Sequence, residues 1–204
     1  TACIARLSDC LEDLQAEEKE RLKKTRLLAC NNTLVTPQHV FWDCDVQLSP
    51  FAHRVPLEVR EHEDLLRQIG VKDRPTVEAL ALALEQVHIA TREQGLSPNQ
   101  LSGAAYAVKT MIQLSRHSTH QQRNLRIPTH ASRLAPKSRV VFVDRQDLLS
   151  RVDLTPAALL PASHLLSATV CRALGVPFLS EVCQTTQVGT GAVATPAITA
   201  AGTT

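Results

Sequence analysis

The residues best able to do chemistry fall in a basic stretch running from Arg116 to Arg151. Eight cations lie there (Arg116, Arg123, Arg126, Arg133, Lys137, Arg139, Arg145, Arg151) against Asp144 and Asp147, in a chain whose formal net charge is only +2. Such an excess draws phosphates or an acidic protein surface toward it. Arg116, Arg123, Arg126, Lys137 and Arg139 are the candidate contacts for an anion or a partner. No aromatic residue is available for base stacking before Phe142, which belongs in a buried strand. An acidic protein partner therefore ranks above nucleic acid, and a solvated or internally paired face ranks above both.

Other chemistry is harder to build. His117-Ser-Thr-His120 sets two imidazoles on one helical turn with His130 nearby, but no carboxylate or cysteine completes a spaced ligand set, so no metal site is assigned. The six cysteines (Cys3, Cys10, Cys30, Cys44, Cys171, Cys183) include no Cys-x-x-Cys pair and read as reduced thiols of a cytosolic protein. Cys3 and Cys10, seven residues apart, are expected to pack as small apolar residues on one helix face. Neither Cys44 nor Cys171 stands in a motif that would supply a base. Ser102-Gly103 and Ser167-Ala168 lack the Gly-x-Ser-x-Gly elbow of a serine hydrolase. Gly189-Thr-Gly191 follows no strand, so it is no phosphate cradle. The chain reads as non-enzymatic, with no catalytic or cofactor-binding residue and no cofactor.

The elements that position these residues belong to a chain of 204 residues, 44% hydrophobic and 3% aromatic, whose core must be built from Leu, Val and Ala. No apolar run approaches the ~18 residues that would cross a membrane. The sequence begins at Thr1 and not Met, the mark of a fragment of a longer protein or of a trimmed one, and its first residues hold neither a basic segment nor an apolar leader, which predicts a cytoplasmic protein.

Periodicity predicts an α+β fold, mainly helical, with two small β-hairpins and a disordered C-terminal tail. One domain spans 1–183. Ile4, Leu7, Leu11 and Leu14 predict an N-terminal helix over 2–28. The first hairpin-helix unit covers 31–94. In it Leu34-Val35 pairs with His39–Trp42 across Thr36-Pro37-Gln38, a short helix opens at Val55-Pro56-Leu57 and stops at Gly70, and a second helix runs over 77–94. Ser97-Pro98 caps a helix over 98–115. The second unit covers 125–183: Leu125–Pro128 pairs with Arg139–Val143, and a helix from about Ala162 to Leu174 ends at Gly175. Residues 184–204 carry no charge and no periodicity, and read as the disordered tail.

The two units echo each other. Leu34-Val-Thr-Pro37-Gln-His-Val40-Phe41-Trp-Asp43 resembles Leu134-Ala-Pro136-Lys-Ser-Arg-Val140-Val-Phe142-Val-Asp144, and Leu66-Arg-Gln-Ile69-Gly70-Val71 resembles Cys171-Arg-Ala-Leu174-Gly175-Val176. The phrase from Phe51 to Val71, followed by Pro75-Thr76-Val77-Glu78, resembles the helical stretch of sacsin repeats. Ile127-Pro128, Arg133-Leu134-Ala135-Pro136 and Val141-Phe142-Val143-Asp144 resemble its apolar-proline and strand segments, and Leu174-Gly175-Val176-Pro177 its closing helix. The resemblance spans roughly 27–183. It implies a role in protein quality control as a scaffold or client-contacting segment of a chaperone or co-chaperone. It also implies a histidine-kinase-like ATPase module elsewhere in the same longer chain; no residue of an ATP site is carried onto this sequence. Client or co-chaperone proteins are then the partners. Their contact surface would be a groove between helices 77–94 and 98–115, lined by Ala79, Ala81, Ala83, Ala104, Ala105 and Ala107. The alternative is an anion or nucleic-acid binding module using 116–151.

Overall fold

The computed structural model describes residues 2–10, 12–115, 125–152, 154 and 159–183; the tail expected at 184–204 lies outside them. The architecture is α+β and mainly helical, with four two-stranded sheets among the described residues. No helix among them is long and apolar enough to cross a membrane.

The single helix expected over 2–28 is two helices and a strand: α1 (Ala2–Asp9), α2 (Ala16–Lys24) and β1 (Leu28–Cys30). The second helix restarts where the Glu18 carboxylate accepts the Gln15 N–H at 2.9 Å, satisfying an orphan donor of the new first turn. It ends at Thr25, and Leu28 is buried as a strand residue.

β1 pairs antiparallel with β2 (Thr33–Val35) across Asn31-Asn32, whose φ values of 51° and 63° suit a two-residue hairpin turn. The expected hairpin across Thr36–Gln38 does not form. Pro37–His39 is instead a 3-10 turn, and β3 (Val40–Phe41) runs parallel to β4 (His53–Arg54). The chain then coils through a further 3-10 segment, Leu57–His62, into α3 (Glu63–Gln68), which stops at Gly70 with φ 103°. Two long helices follow. Thr76 caps α4 (Val77–Ala90), its hydroxyl accepting the Ala79 N–H, and Ser97 with Gln100 forms a capping box on α5 (Pro98–Leu114).

The second unit repeats the order. β5 (Arg126–Pro128) pairs antiparallel with β6 (Leu134–Pro136), so the hairpin partner is 134–136 and not 139–143. A 3-10 turn, Lys137–Arg139, leads to β7 (Val140–Val141), which lies parallel to β8 (Leu160–Pro161). Between them sits α6 (Gln146–Leu149). α7 spans Ala168–Leu174 and does not start near Ala162, because Ser167 is its cap and Ala162-Ser163 is extended. Gly175 ends it with φ 70°, and α8 (Leu179–Val182) follows.

Equivalent backbone groups pair alike in the two units. Val55 N–H donates to the Phe41 carbonyl and Ala162 N–H to the Val141 carbonyl, both at 2.9 Å. Val71 reaches the Leu66 carbonyl and Val176 the Cys171 carbonyl, again both at 2.9 Å. An arginine of the helix that stops at the glycine covers an aromatic ring in each: Arg67 of α3 lies 5.7 Å from the Trp42 ring centre and Arg172 of α7 4.4 Å from that of Phe178.

α5 is the shared spine, touching α4, β5, α7 and the 3-10 turn Val46–Leu48. The main core draws Phe41 and Phe51 from the first unit and Ile127, Val140 and Cys171 from the second. Ala83, Ala104, Ala105 and Ala107 are buried in it, so the expected client groove along those alanines is a packing seam. Small residues there let neighbouring backbones come close. One such approach is at Gly103, where an added Cβ would stand 2.3 Å from the Ser49 carbonyl oxygen.

Candidate functional site

The cations singled out in the sequence turn to different neighbours. Arg126 is spent inside the fold: its Nε lies 2.7 Å from Glu85 Oε2 and its Nη2 3.1 Å from Oε1, a two-toothed pair between β5 and α4. That pairing holds the Glu85 carboxyl below the usual carboxylate range. Lys137 is half-buried against the start of the Gly175 turn, its Nζ 4.0 Å from where a Cβ on Gly175 would lie. Arg139 is exposed on the 3-10 turn, and Arg116 and Arg123 lie outside the described residues. His117 and His120 do as well. The His130 ring stands 6.4 Å from that of His164, and no metal-binding cluster occurs among the described residues.

The thiols divide into two sets. Cys30, Cys44, Cys171 and Cys183 are buried, and burial pushes the first three up to about 11, about 12 and about 11, which leaves them poor nucleophiles. Cys3 and Cys10 are exposed and not packed, since α1 ends at Asp9 and Cys10 falls in the turn beyond it.

What the sequence did not reveal is a cleft of about 1060 Å³ in the first unit, between residues 27–32 on one side and 52–60 on the other. Its walls reach down to Ile4, Leu28, Val55 and Val59, all members of a small aliphatic core belonging to this unit. Three of the exposed large apolar side chains stand on it: Leu34 at 58% exposure, Val46 at 78% and Leu57 at 74%. Arg54, Glu58 and Arg60 add a polar rim, and Arg60 Nε is tied back to the Val55 carbonyl at 3.4 Å. A recess of this size, with an aliphatic floor and a polar and charged rim, suits a protein segment or an elongated ligand.

A second cleft of about 760 Å³ lies across the hairpin, between β2, the Pro37–His39 turn and the exposed end of α4 at Ile89. His53 lines both clefts and is 6% exposed. Its Nδ1, and Nε2 of the nearby His39, have no hydrogen-bond partner. Burial lowers the pKa of both imidazoles, so both are neutral at neutral pH. The legible part of this signal was the apolar pair Leu34-Val35 and the Val55-Pro56-Leu57 phrase, which name the two banks without showing that a gap separates them.

No family model matches this chain, and neither a curated protein nor a solved structure does.

Proposed function

We propose that the chain is a non-enzymatic scaffold segment of a cytoplasmic chaperone or co-chaperone, of the kind its sacsin-like phrases imply, and that it contacts client or co-chaperone proteins through the first-unit cleft. An ATPase module in the same longer chain would supply any energy-dependent step. One observation carries the reading: Leu34, Val46 and Leu57, each more than half exposed, line one recess with an aliphatic floor. Water-exposed aliphatic side chains gathered in one place favour burial by a partner, at about 25 cal/mol per Å² of apolar surface covered. Six unpaired cysteines, four of them buried, support a reducing compartment. The anion-binding alternative is weakened because Arg126, central to it, is already paired with Glu85.

The test is the aggregation of a heat-unfolded client followed by light scattering. Sub-stoichiometric chain should slow it, and the double substitution Leu34→Asp with Leu57→Asp should abolish the effect while circular dichroism stays unchanged. Equal protection by the variant would remove the cleft from consideration, and no protection by the native sequence would end direct client contact.

A further inference from the structure

The cleft of about 760 Å³ is built unlike its larger neighbour. β2 and α4 give it an aliphatic lining of Leu34, Val35, Val87 and Ile89, and Leu34 and Ile89 are each more than half exposed. Lys24 at the end of α2 and Arg26 in the link to β1 add two exposed cations. Among the described residues no carboxylate lines this cleft, and neither cation forms an ion pair. His39 and His53 line the same space. Burial and then the neighbouring Arg26 hold the His39 pKa down, which sets that guanidinium near the ring. His53 is 6% exposed, yet its Nδ1 makes no hydrogen bond, and neither does His39 Nε2. A buried imidazole left unpaired works against folding. The fold does not require one here: the parallel strand registers equate His53 with Leu160 of the second unit, where an aliphatic side chain takes the same place.

We propose that this cleft binds a small amphipathic carboxylate, an aliphatic chain ending in one anionic head. The chain covers Leu34, Val87 and Ile89 and takes their apolar surface out of water. The head accepts hydrogen bonds from His53 and His39 within the field of Lys24 and Arg26. A neutral imidazole carries one N–H and can place it on either ring nitrogen, so each ring can donate to a carboxylate oxygen. Hydrogen bonds to an ionised acceptor are the stronger kind, and they satisfy the polar atoms that the fold leaves unpaired. The cleft also sets the sign of the head, because an amine would meet two cations and no carboxylate. This small-molecule site is separate from the protein contact proposed for the larger cleft, whose lining includes Leu57 and not Ile89.

The experiment uses the full chain at neutral pH and low salt, with octanoate as the probe and octanol as its uncharged counterpart. Calorimetry gives the affinity and NMR of the histidine rings gives the location. The expected result is saturable octanoate binding, about tenfold or more tighter than octanol, that shifts the ring resonances of His39 and His53. Lys24→Gln combined with Arg26→Gln should weaken it about fivefold or more, and His53→Leu about threefold or more. His53→Leu copies a residue that the second unit already accommodates, so its loss of binding is not a loss of folding, which circular dichroism checks. Leu57→Asp, confined to the larger cleft, should leave octanoate affinity unchanged. Equal binding of octanol, ring resonances that do not move, or full affinity in the Lys24 and Arg26 variant would overturn the proposal. So would no binding at millimolar octanoate, or an equal loss with Leu57→Asp. Client protection in the aggregation assay stands or falls separately.

Discussion

Gly103 is the position where a single methyl group tests the packing around α5. In the interior of an exposed helix, Gly→Ala gains about 0.5–1 kcal/mol through lower backbone entropy in the unfolded chain. Here the added Cβ would stand 2.3 Å from the Ser49 carbonyl oxygen and 3.2 Å from both the Ser49 carbonyl carbon and Phe51 Cε2. The offending atom is backbone, so no rotamer change relieves it. Either α5 or the 46–52 segment must withdraw by roughly an ångström, and that segment carries Leu48, Phe51 and Ala52 into the main core. Overpacking of this kind costs about 1–3 kcal/mol and outweighs the propensity gain. Gly103→Ala should therefore lower stability by about 1–2 kcal/mol net, and Tm by about 2–4 °C per kcal/mol for a chain of this size. Ser102→Ala, at the exposed neighbouring position on the same helix, is the control and should leave Tm unchanged or slightly raised. Thermal unfolding followed by circular dichroism decides it. A Gly103→Ala protein as stable as the native one would refute the close approach of Ser49 to α5, and with it the account of why this helix is rich in small residues.

Three further outcomes are expected. A double-mutant cycle of Arg126→Ala and Glu85→Gln in urea denaturation should give a coupling of about 0.5–1 kcal/mol, modest because both side chains are partly solvated; a coupling near zero would mean the pair does not tie β5 to α4. His39 and His53 have folded pKa values below the ordinary 6.5, so the unfolded chain takes up protons first as pH falls. Their contribution is complete above about pH 6.5 and is lost as pH drops below it. His53→Leu, which copies Leu160 of the second unit, should raise stability at pH 5.5 by about 1 kcal/mol and flatten the profile; an unchanged slope would show that His53 does not titrate in this window. A thiol reagent at neutral pH should modify Cys3 and Cys10 quickly and the four buried cysteines only on unfolding, and rapid reaction of a third thiol in the native protein would contradict their burial.

Long helices with chemical punctuation were legible in the sequence, because a cap is a local device. Thr76 and Ser97-Pro98 state where α4 and α5 begin with no help from the rest of the chain. The glycine stops at Gly70 and Gly175 were equally plain, since both positions need a left-handed backbone that side-chain-bearing residues adopt reluctantly. Strand partners were not legible. Strands of two or three residues are too short to show a period of two, so Val40-Phe41 and Val140–Val143 looked like hairpin arms when each in fact lies parallel to a strand many residues away. Asn31-Asn32 was visible as a helix breaker, yet the pair is the hairpin turn itself. The basic stretch promised more than it holds for a related reason: charge counted along a sequence ignores which cations, like Arg126 of β5, are committed to a carboxylate of a distant element. The cleft was the least accessible feature of all, because it is defined by a hydrogen bond that one copy makes and the other cannot.

That difference explains how one unit can stay open without unravelling. The second hairpin is sealed by Leu160–Ser163, where Ser163 N–H donates to the Pro128 carbonyl; the buried Thr129 hydroxyl donates to the Arg133 carbonyl within the hairpin turn, and the Ser163 hydroxyl accepts the Leu165 N–H. The first has no such seal. Its floor is held from the other side, by α1 packing Ile4 against the Leu57–His62 turn and α3. Water can serve the free Ala29 carbonyl and Asn31 amide, since both residues are exposed, so the open edge carries no buried unsatisfied backbone. The aliphatic mouth is different, because solvent cannot satisfy Leu34, Val46 and Leu57 as it satisfies an amide. A unit whose polar edge is content in water while its apolar rim is not is stable alone and still gains from covering that rim. Pro56, the counterpart of Ser163, has no N–H to give the hairpin, and so leaves one copy of a shared design open along an edge that the other closes.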